Sequence, residues 1–339
     1  MAGKSNRTIV AEKPFTLKGF FLRWEWFLVI VFFLVNILGA SLTPIYADFG
    51  GLLSHTNTFL YSAFLVLPTA FILLIGEIDI SVAATAVLSA TTLGVAFDKG
   101  LPVGVCVLLC LLCGLICGLL NGLILVTFPE LPSMIVTFGT QTLFRGISKM
   151  IVGTGSVGSG INKSSKIFKS LYNGKIGGVV PIVLIIFIIM AVIFGIVMHK
   201  TTFGRRLFAM GKNKKAAQFS GINTRKIILT VYTLAGVFSA VMAIFMTSRL
   251  GTINSDAGLN LEMEAIMMCV LGGILTDGGK GNFVGAIIAL FTIGFLKYAL
   301  SLVNISSYIV TVITGLLLIL TVLISKADFK ALKMKRKRA

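Results

Sequence analysis

Twenty residues, "VLLCLLCGLICGLLNGLILV" at positions 107–126, pass without a single charge. A helix rising 1.5 Å per residue needs about 20 such residues to cross about 30 Å of hydrocarbon. Apolar windows of this kind recur at 26–46, 59–76, 80–97, 102–127, 132–152, 179–199, 227–248, 261–276, 283–303 and 307–324. They do not alternate apolar and polar residues, which excludes a transmembrane barrel. The chain is 56% hydrophobic and 12% charged, whereas an ordinary soluble domain is about a quarter charged. The expectation is an all-α membrane protein, a polytopic bundle of about ten transmembrane helices.

The formal net charge of +18 would suit nucleic acid if it were spread over one face, but most of the 30 Lys and Arg sit in three clusters. Five lie in residues 1–25, eight in 200–226 and seven in 326–339. An even number of spans places all three clusters on one side, and the positive-inside rule makes that side the cytoplasm. Both termini are then cytoplasmic and nucleic acid is not a partner. The loop 153–178, on the other side, carries Lys163, Lys166, Lys169 and Lys175, but a longer polar segment constrains topology less than a short one. The domains expected are a basic cytoplasmic tail (1–25), one transmembrane domain (26–325) and a second basic tail (326–339). The first apolar stretch is too long for a signal-peptide core and lacks an Ala-x-Ala site, so it reads as a retained helix.

Motifs for catalysis are weak. "GTGSVG" at Gly153 to Gly158 follows a membrane helix rather than a strand, and "GKS" at Gly3 to Ser5 lacks the upstream glycine of a phosphate loop. His55 and His199 stand far apart without a nucleophile beside them. Cys106, Cys110, Cys113 and Cys117 form one helical stripe inside an apolar window, where packing outweighs metal binding. Gly114, Gly118 and Gly122 repeat at the spacing that lets two membrane helices approach closely. Neither an enzyme nor a metal or other cofactor is expected.

Three groups of residues are candidates for function. In "IGEIDIS", Glu77 and Asp79 fall between two spans with almost no room for a loop. They either form a turn, with Asp79 or Ser81 capping the next helix, or mark a helix break that lines or gates a pathway. Arg145, Lys149, Arg249, Glu262, Glu264 and Lys297 fall in the outer halves of their spans. They line an outward vestibule or anchor helix ends by pairing, with Arg249 to Glu262 or Glu264 as the obvious pair. Asn36, Asn121, Thr137, Gln141 and Asn304 are polar residues in or near spans, better suited to bonding between helices than to a ligand.

The third group lies in 200–226, with eight basic residues and no acid. Lys214 to Ser220 can form about two helical turns, with Asn213 as N-cap and Gly221 as left-handed C-cap. Ala216, Ala217 and Phe219 then offer small and apolar contact surface among lysines, as a helix would that docks into a partner's groove. "DGGKGN", with Gly278, Gly279 and Gly281, is a second tight turn on the same side.

"FGRRLFAMGKNKKAAQFSGIN" resembles the cytoplasmic coupling region of permease subunits in ATP-binding-cassette importers of the ribose, rhamnose and autoinducer-2 type. The likeness extends through "GLLNGLIL", "PSMIVTFGTQTLFRG", "HKTTFGR" and "LEMEAIMMCVLGGILTDGGKGNFVGAIIA". The family commonly has Gly-Gly-Ile-Asp-Leu-Ser-Val-Gly where this chain has Gly76-Glu77-Ile78-Asp79-Ile80-Ser81-Val82-Ala83. The resemblance implies an ATPase-coupling segment that includes Gly211, Asn213, Ala216, Ala217, Phe219, Ser220 and Gly221. It also implies a second permease, identical or paralogous, a cytoplasmic ATPase that binds the ATP, an extracytoplasmic solute-binding protein, a small sugar as cargo and a bacterial inner-membrane location. An ATP-independent carrier and a membrane-embedded enzyme using Glu77 and Asp79 are the rival expectations.

Overall fold

The computed structural model describes residues 24–42, 46, 49–306, 309, 311–313, 315, 316 and 319. The C-terminal basic tail, almost all of the N-terminal one and most of the expected span 307–324 lie outside the described residues.

The described residues are mostly helical, with one hairpin of two-residue strands. The helices are α1 (Trp24–Leu42), α2 (Phe49–His55), α3 (Asn57–Ala63), α4 (Val66–Leu74), α5 (Val82–Asp98), α6 (Val103–Thr127) and α7 (Ser133–Val152). After α8 (Ile161–Ser164), α9 (Lys166–Asn173) and the antiparallel strands β1 (Lys175–Ile176) and β2 (Val180–Pro181) come α10 (Ile182–Lys200), α11 (Thr202–Lys212), α12 (Lys214–Phe219), α13 (Thr224–Leu250), α14 (Leu261–Leu271) and α15 (Phe283–Leu302). By length and composition, 57–74, 103–127, 182–200, 224–250 and 283–302 can each cross a membrane, and 28–41 and 82–98 are shorter apolar helices. The protein is an all-helical polytopic membrane protein.

Burial explains why these windows differ. All nine residues of α4 are buried, as is nearly all of α5, whereas α6 and α10 bury one stripe and expose Leu108, Leu112, Ile116, Ile189 and Val192 on the other. A helix apolar all round can sit in the centre or face lipid, and small residues mark the faces along which two helices approach closely, because association in lipid depends on packing rather than on escape from water. One such close contact joins α6 to α13. A Cβ on Gly118 would meet Gly236 at 2.9 Å, and one on Gly114 would overlap the Gly236 carbonyl and lie 2.7 Å from Ala240. The glycine repeat read from sequence therefore packs within this subunit. Cys106, Cys110 and Cys117 are buried on the same helix, Cys113 is half-buried, and all four are free thiols.

Three expectations change. The window 261–276 is helical only over α14, whose 11 residues rise about 16 Å and cannot cross about 30 Å of hydrocarbon. The basic segment 200–226, expected to hold one short helix at 214–220, begins with a second one, α11. Gly204 lies inside α11, pressed on the Met198 carbonyl, because Thr201 caps the helix by accepting from the Gly204 amide at 3.2 Å. The loop 153–178 is also structured. Phe168 and Tyr172 of α9 are buried, and Ser248 of α13 donates to the Phe168 carbonyl at 2.6 Å. "GTGSVG" is architectural too, since its Gly158 amide donates to Asp98 at 2.9 Å and Val157 bridges to Ile253.

Candidate functional site

The basic segment folds into α11 and α12, separated by the single residue Asn213. Leu207 and Met210 fix the inner face of α11, leaving Arg205 and Arg206 exposed. Asn213 then ends one helix through its backbone amide, which donates to the Ala209 carbonyl at 3.2 Å, and starts the next through its side chain, which accepts from the Ala216 amide at 2.9 Å. At the far end, Gly221 adopts φ +82°, a left-handed conformation that costs glycine little. Its amide reaches the Gln218 carbonyl and that of Ile222 the Ala217 carbonyl, both at 3.1 Å. This pair of bonds is a Schellman closure and holds a six-residue helix that would not survive alone.

The face that α12 presents differs from the sequence reading. Ala217 is buried in the subunit's own core, while Ala216, Gln218 and Ser220 are exposed and Phe219 is 91% exposed. Ala217 therefore anchors the helix, and the outward contact surface is Ala216, Phe219 and Ser220 with Lys215 beside them.

Three glycine-bearing segments, far apart in sequence, converge behind α12. A Cβ on Gly211 would overlap the Leu74 carbonyl and the Gly279 amide nitrogen, and one on Gly278 would stand 2.7 Å from the Gly76 nitrogen and 3.1 Å from Gly211. The Gly279 amide donates to the Leu74 carbonyl at 2.8 Å. "DGGKGN" thus joins the base of the coupling segment to the end of α4 by backbone contact.

The loop 75–81 is the third part. Lys214 at the start of α12 pairs with Glu77 at 3.0 Å, with the lysine side chain 42% and the glutamate 19% exposed. Asp79 is buried, and its carboxylate accepts from the Ser81 amide at 2.8 Å and the Ser81 hydroxyl at 2.7 Å. Burial pushes the Asp79 carboxyl up to about 6, against the two Ser81 hydrogen bonds, which lower it. Asn121 of α6 donates to the Ser81 hydroxyl at 2.8 Å, and Ser133 and Thr137 of α7 accept from the Ile78 and Ile80 amides at 3.1 and 3.2 Å. Ser81 occupies the N-cap position of α5 but bonds no first-turn amide; its hydroxyl donates to Asp79 and accepts from Asn121 instead. Of the two expected caps, Ser81 does not bond the first turn through its side chain, whereas Asp79 holds the amide of the N-cap residue itself.

At the opposite end the charged residues form two groups. Arg145 donates to the Ser255 carbonyl at 3.2 Å, and Gln141 donates to Glu262 at 3.0 Å, with Glu262 4% exposed. Separately, Glu264 pairs with Lys297, while Arg249 donates to the Thr58 carbonyl at 3.2 Å and lies 4.8 Å from the centre of the Tyr61 ring. The expected pairing of Arg249 with Glu262 or Glu264 does not form; the guanidinium takes an aromatic face and a carbonyl instead. Arg249, Glu264, Lys297, Thr58, Tyr298 and Ser301 line a cavity of about 390 Å³. Sequence reasoning missed Tyr61 and Asp256, the partner of Lys149 at 3.2 Å, since nothing local marks a residue met across the fold.

A family profile described as "Branched-chain amino acid transport system / permease component" matches residues 51–322. Among curated relatives, the autoinducer 2 import system permease protein LsrD of Enterobacter sp. (strain 638) is 34% identical over 304 residues, covering 89% of this chain and 92% of the relative. Its counterparts in Klebsiella pneumoniae (strain ATCC 700721 / MGH 78578) and Escherichia coli O9:H4 (strain HS) are also 34% identical, covering 89% of this chain and 91% and 92% of theirs. No solved structure matches. With a profile spanning most of the chain, and relatives matched over nearly their whole length, the chain belongs to this permease family, as a multi-pass membrane subunit of ATP-binding-cassette importers.

Proposed function

We propose that this subunit passes a small polar solute, a sugar or the furanose-like autoinducer 2, from a solute-binding protein to the cytoplasm, driven by a cytoplasmic ATPase that docks on α12. The observation that carries the docking reading is Phe219: a large apolar side chain, almost fully exposed, on a helix whose caps and whose buried Ala217 hold it rigid. The same phenylalanine in lipid would need no rim of lysines, whereas an aromatic anchor framed by polar residues is the usual form of a protein-binding hot spot. ATP would be held by the partner and not by this chain. A second permease, identical or paralogous, would complete the translocation path.

Among solutes, the role named for the relatives supports autoinducer 2 at least as well as a pentose or a 6-deoxyhexose. The test is to purify the tagged chain in mild detergent from its own membrane and identify what accompanies it. An ATPase is expected, with about tenfold less retained by Phe219→Ala, whose own fold should be unchanged. Repeated isolation of the chain alone, or full retention by the variant, would reject the docking reading. Uptake of autoinducer 2, ribose and rhamnose by cells with and without the chain then separates the solutes.

A further inference from the structure

We infer that the loop 75–81 transmits movement of the docking helix into the membrane bundle, and that the Glu77 to Lys214 pair is its state-dependent contact. This rests on the importer reading of the preceding section. The two charges are 137 positions apart in sequence yet meet at 3.0 Å. Among the described residues, it is the one ion pair that α12 makes, and it joins the first residue of that helix to a loop bonded to two others. Beyond Glu77, each amide at Ile78, Ile80 and Ser81 is held by a side chain: Ser133 and Thr137 from α7, and Asp79 from the loop itself. Asn121 adds α6 through Ser81. A shift of Lys214 thus pulls on a loop that is hydrogen-bonded to the start of α7 and, through Asn121, to α6.

The rest of the junction favours such transfer. Gly76, Gly211 and Gly278 meet backbone to backbone, a contact without flexible side chains to absorb displacement. The Glu77 to Lys214 pair is unlike it, being partly solvated and made by two long side chains. Such a pair adds little to stability. Its use lies in being made in one state and loosened in another, which is what an energetic link between two sites requires. Glu77 is a positioning residue in this scheme and touches no solute.

The test uses the chain assembled with the ATPase that accompanies it, in lipid nanodiscs. Both the amount of ATPase bound and the rate of ATP hydrolysis are measured for wild type, Glu77→Gln, Glu77→Lys, Lys214→Glu and the exchanged pair Glu77→Lys with Lys214→Glu. Glu77→Gln and Glu77→Lys are expected to bind the ATPase within twofold of wild type but to hydrolyse ATP at least fivefold more slowly. The exchanged pair should restore hydrolysis to within twofold, a rescue that a merely structural loss would not give. Hydrolysis within twofold of wild type in Glu77→Lys, loss of ATPase binding in Glu77→Gln, or an exchanged pair no better than Lys214→Glu would each overturn the inference. A wild-type chain that binds no ATPase would instead reject the importer reading, and the inference with it.

Discussion

The two ends of the molecule handle charge in opposite ways. Between residues 200 and 226 every charge is positive, and Arg205, Arg206, Lys212, Lys215, Arg225 and Lys226 all stay exposed. Close contact there is made by glycine backbones, with one half-solvated ion pair added. At the other end both signs occur, and Glu262, Arg145, Glu264 and Lys297 withdraw into the protein, met by an amide, a carbonyl and each other. Like charges cannot satisfy one another and remain in water or await an acidic partner, whereas a mixed set can be buried once each member has a hydrogen-bond partner. The difference teaches that a cluster of charges is informative only with its signs and its burial.

The largest effect should come from the glycine junction. Gly211→Val would drive a branched side chain into two backbones, where overpacking costs about 1–3 kcal/mol even when neighbours can yield. Here the backbone cannot, so the variant should give no monodisperse protein on size-exclusion chromatography; normal behaviour would mean that the junction is loose. Next in size is Phe219→Ala, which should strip the ATPase from the complex while leaving thermal stability unchanged. That pair of variants separates an end held by backbone from a surface kept for a partner.

Glu262→Ala is the matching change at the opposite end. It leaves Gln141, and the guanidinium of Arg145 nearby, without a carboxylate in a buried setting, a loss of about 1–3 kcal/mol. A lowered midpoint of thermal unfolding in detergent checks it, and an unshifted midpoint would show that the buried group is not held as described. The smallest effect belongs to Lys149→Ala. Its pair with Asp256 is more than half exposed on both sides, so stability should move by less than about 0.5 kcal/mol. A larger shift would break the contrast between exposed and buried charge.

Several features were legible from the residues in order. Long uncharged windows leave a helix as the form that satisfies its own backbone in lipid, so the membrane class follows from composition and run length. Asn213 and Gly221 mark the limits of α12 because capping is a contact between residues three to five positions apart. The clustering of basic residues likewise needs no fold to be read.

What required the tertiary structure is whatever depends on rotation about a helix axis or on contact across the chain. Ala216 and Ala217 are adjacent and chemically identical, yet one is exposed and the other buried, because the docking of α12 on its own subunit decides which faces in. The apolar window 261–276 could not reveal that only 11 of its residues are helical. Glu77 could not be assigned to Lys214, nor Gly76 to Gly211 and Gly278, because hydrophobic periodicity carries no record of which distant segments meet. Sequence determined the membrane class and the caps of α12 through local chemistry; packing decided the partners of each face, since those depend on residues many tens of positions away.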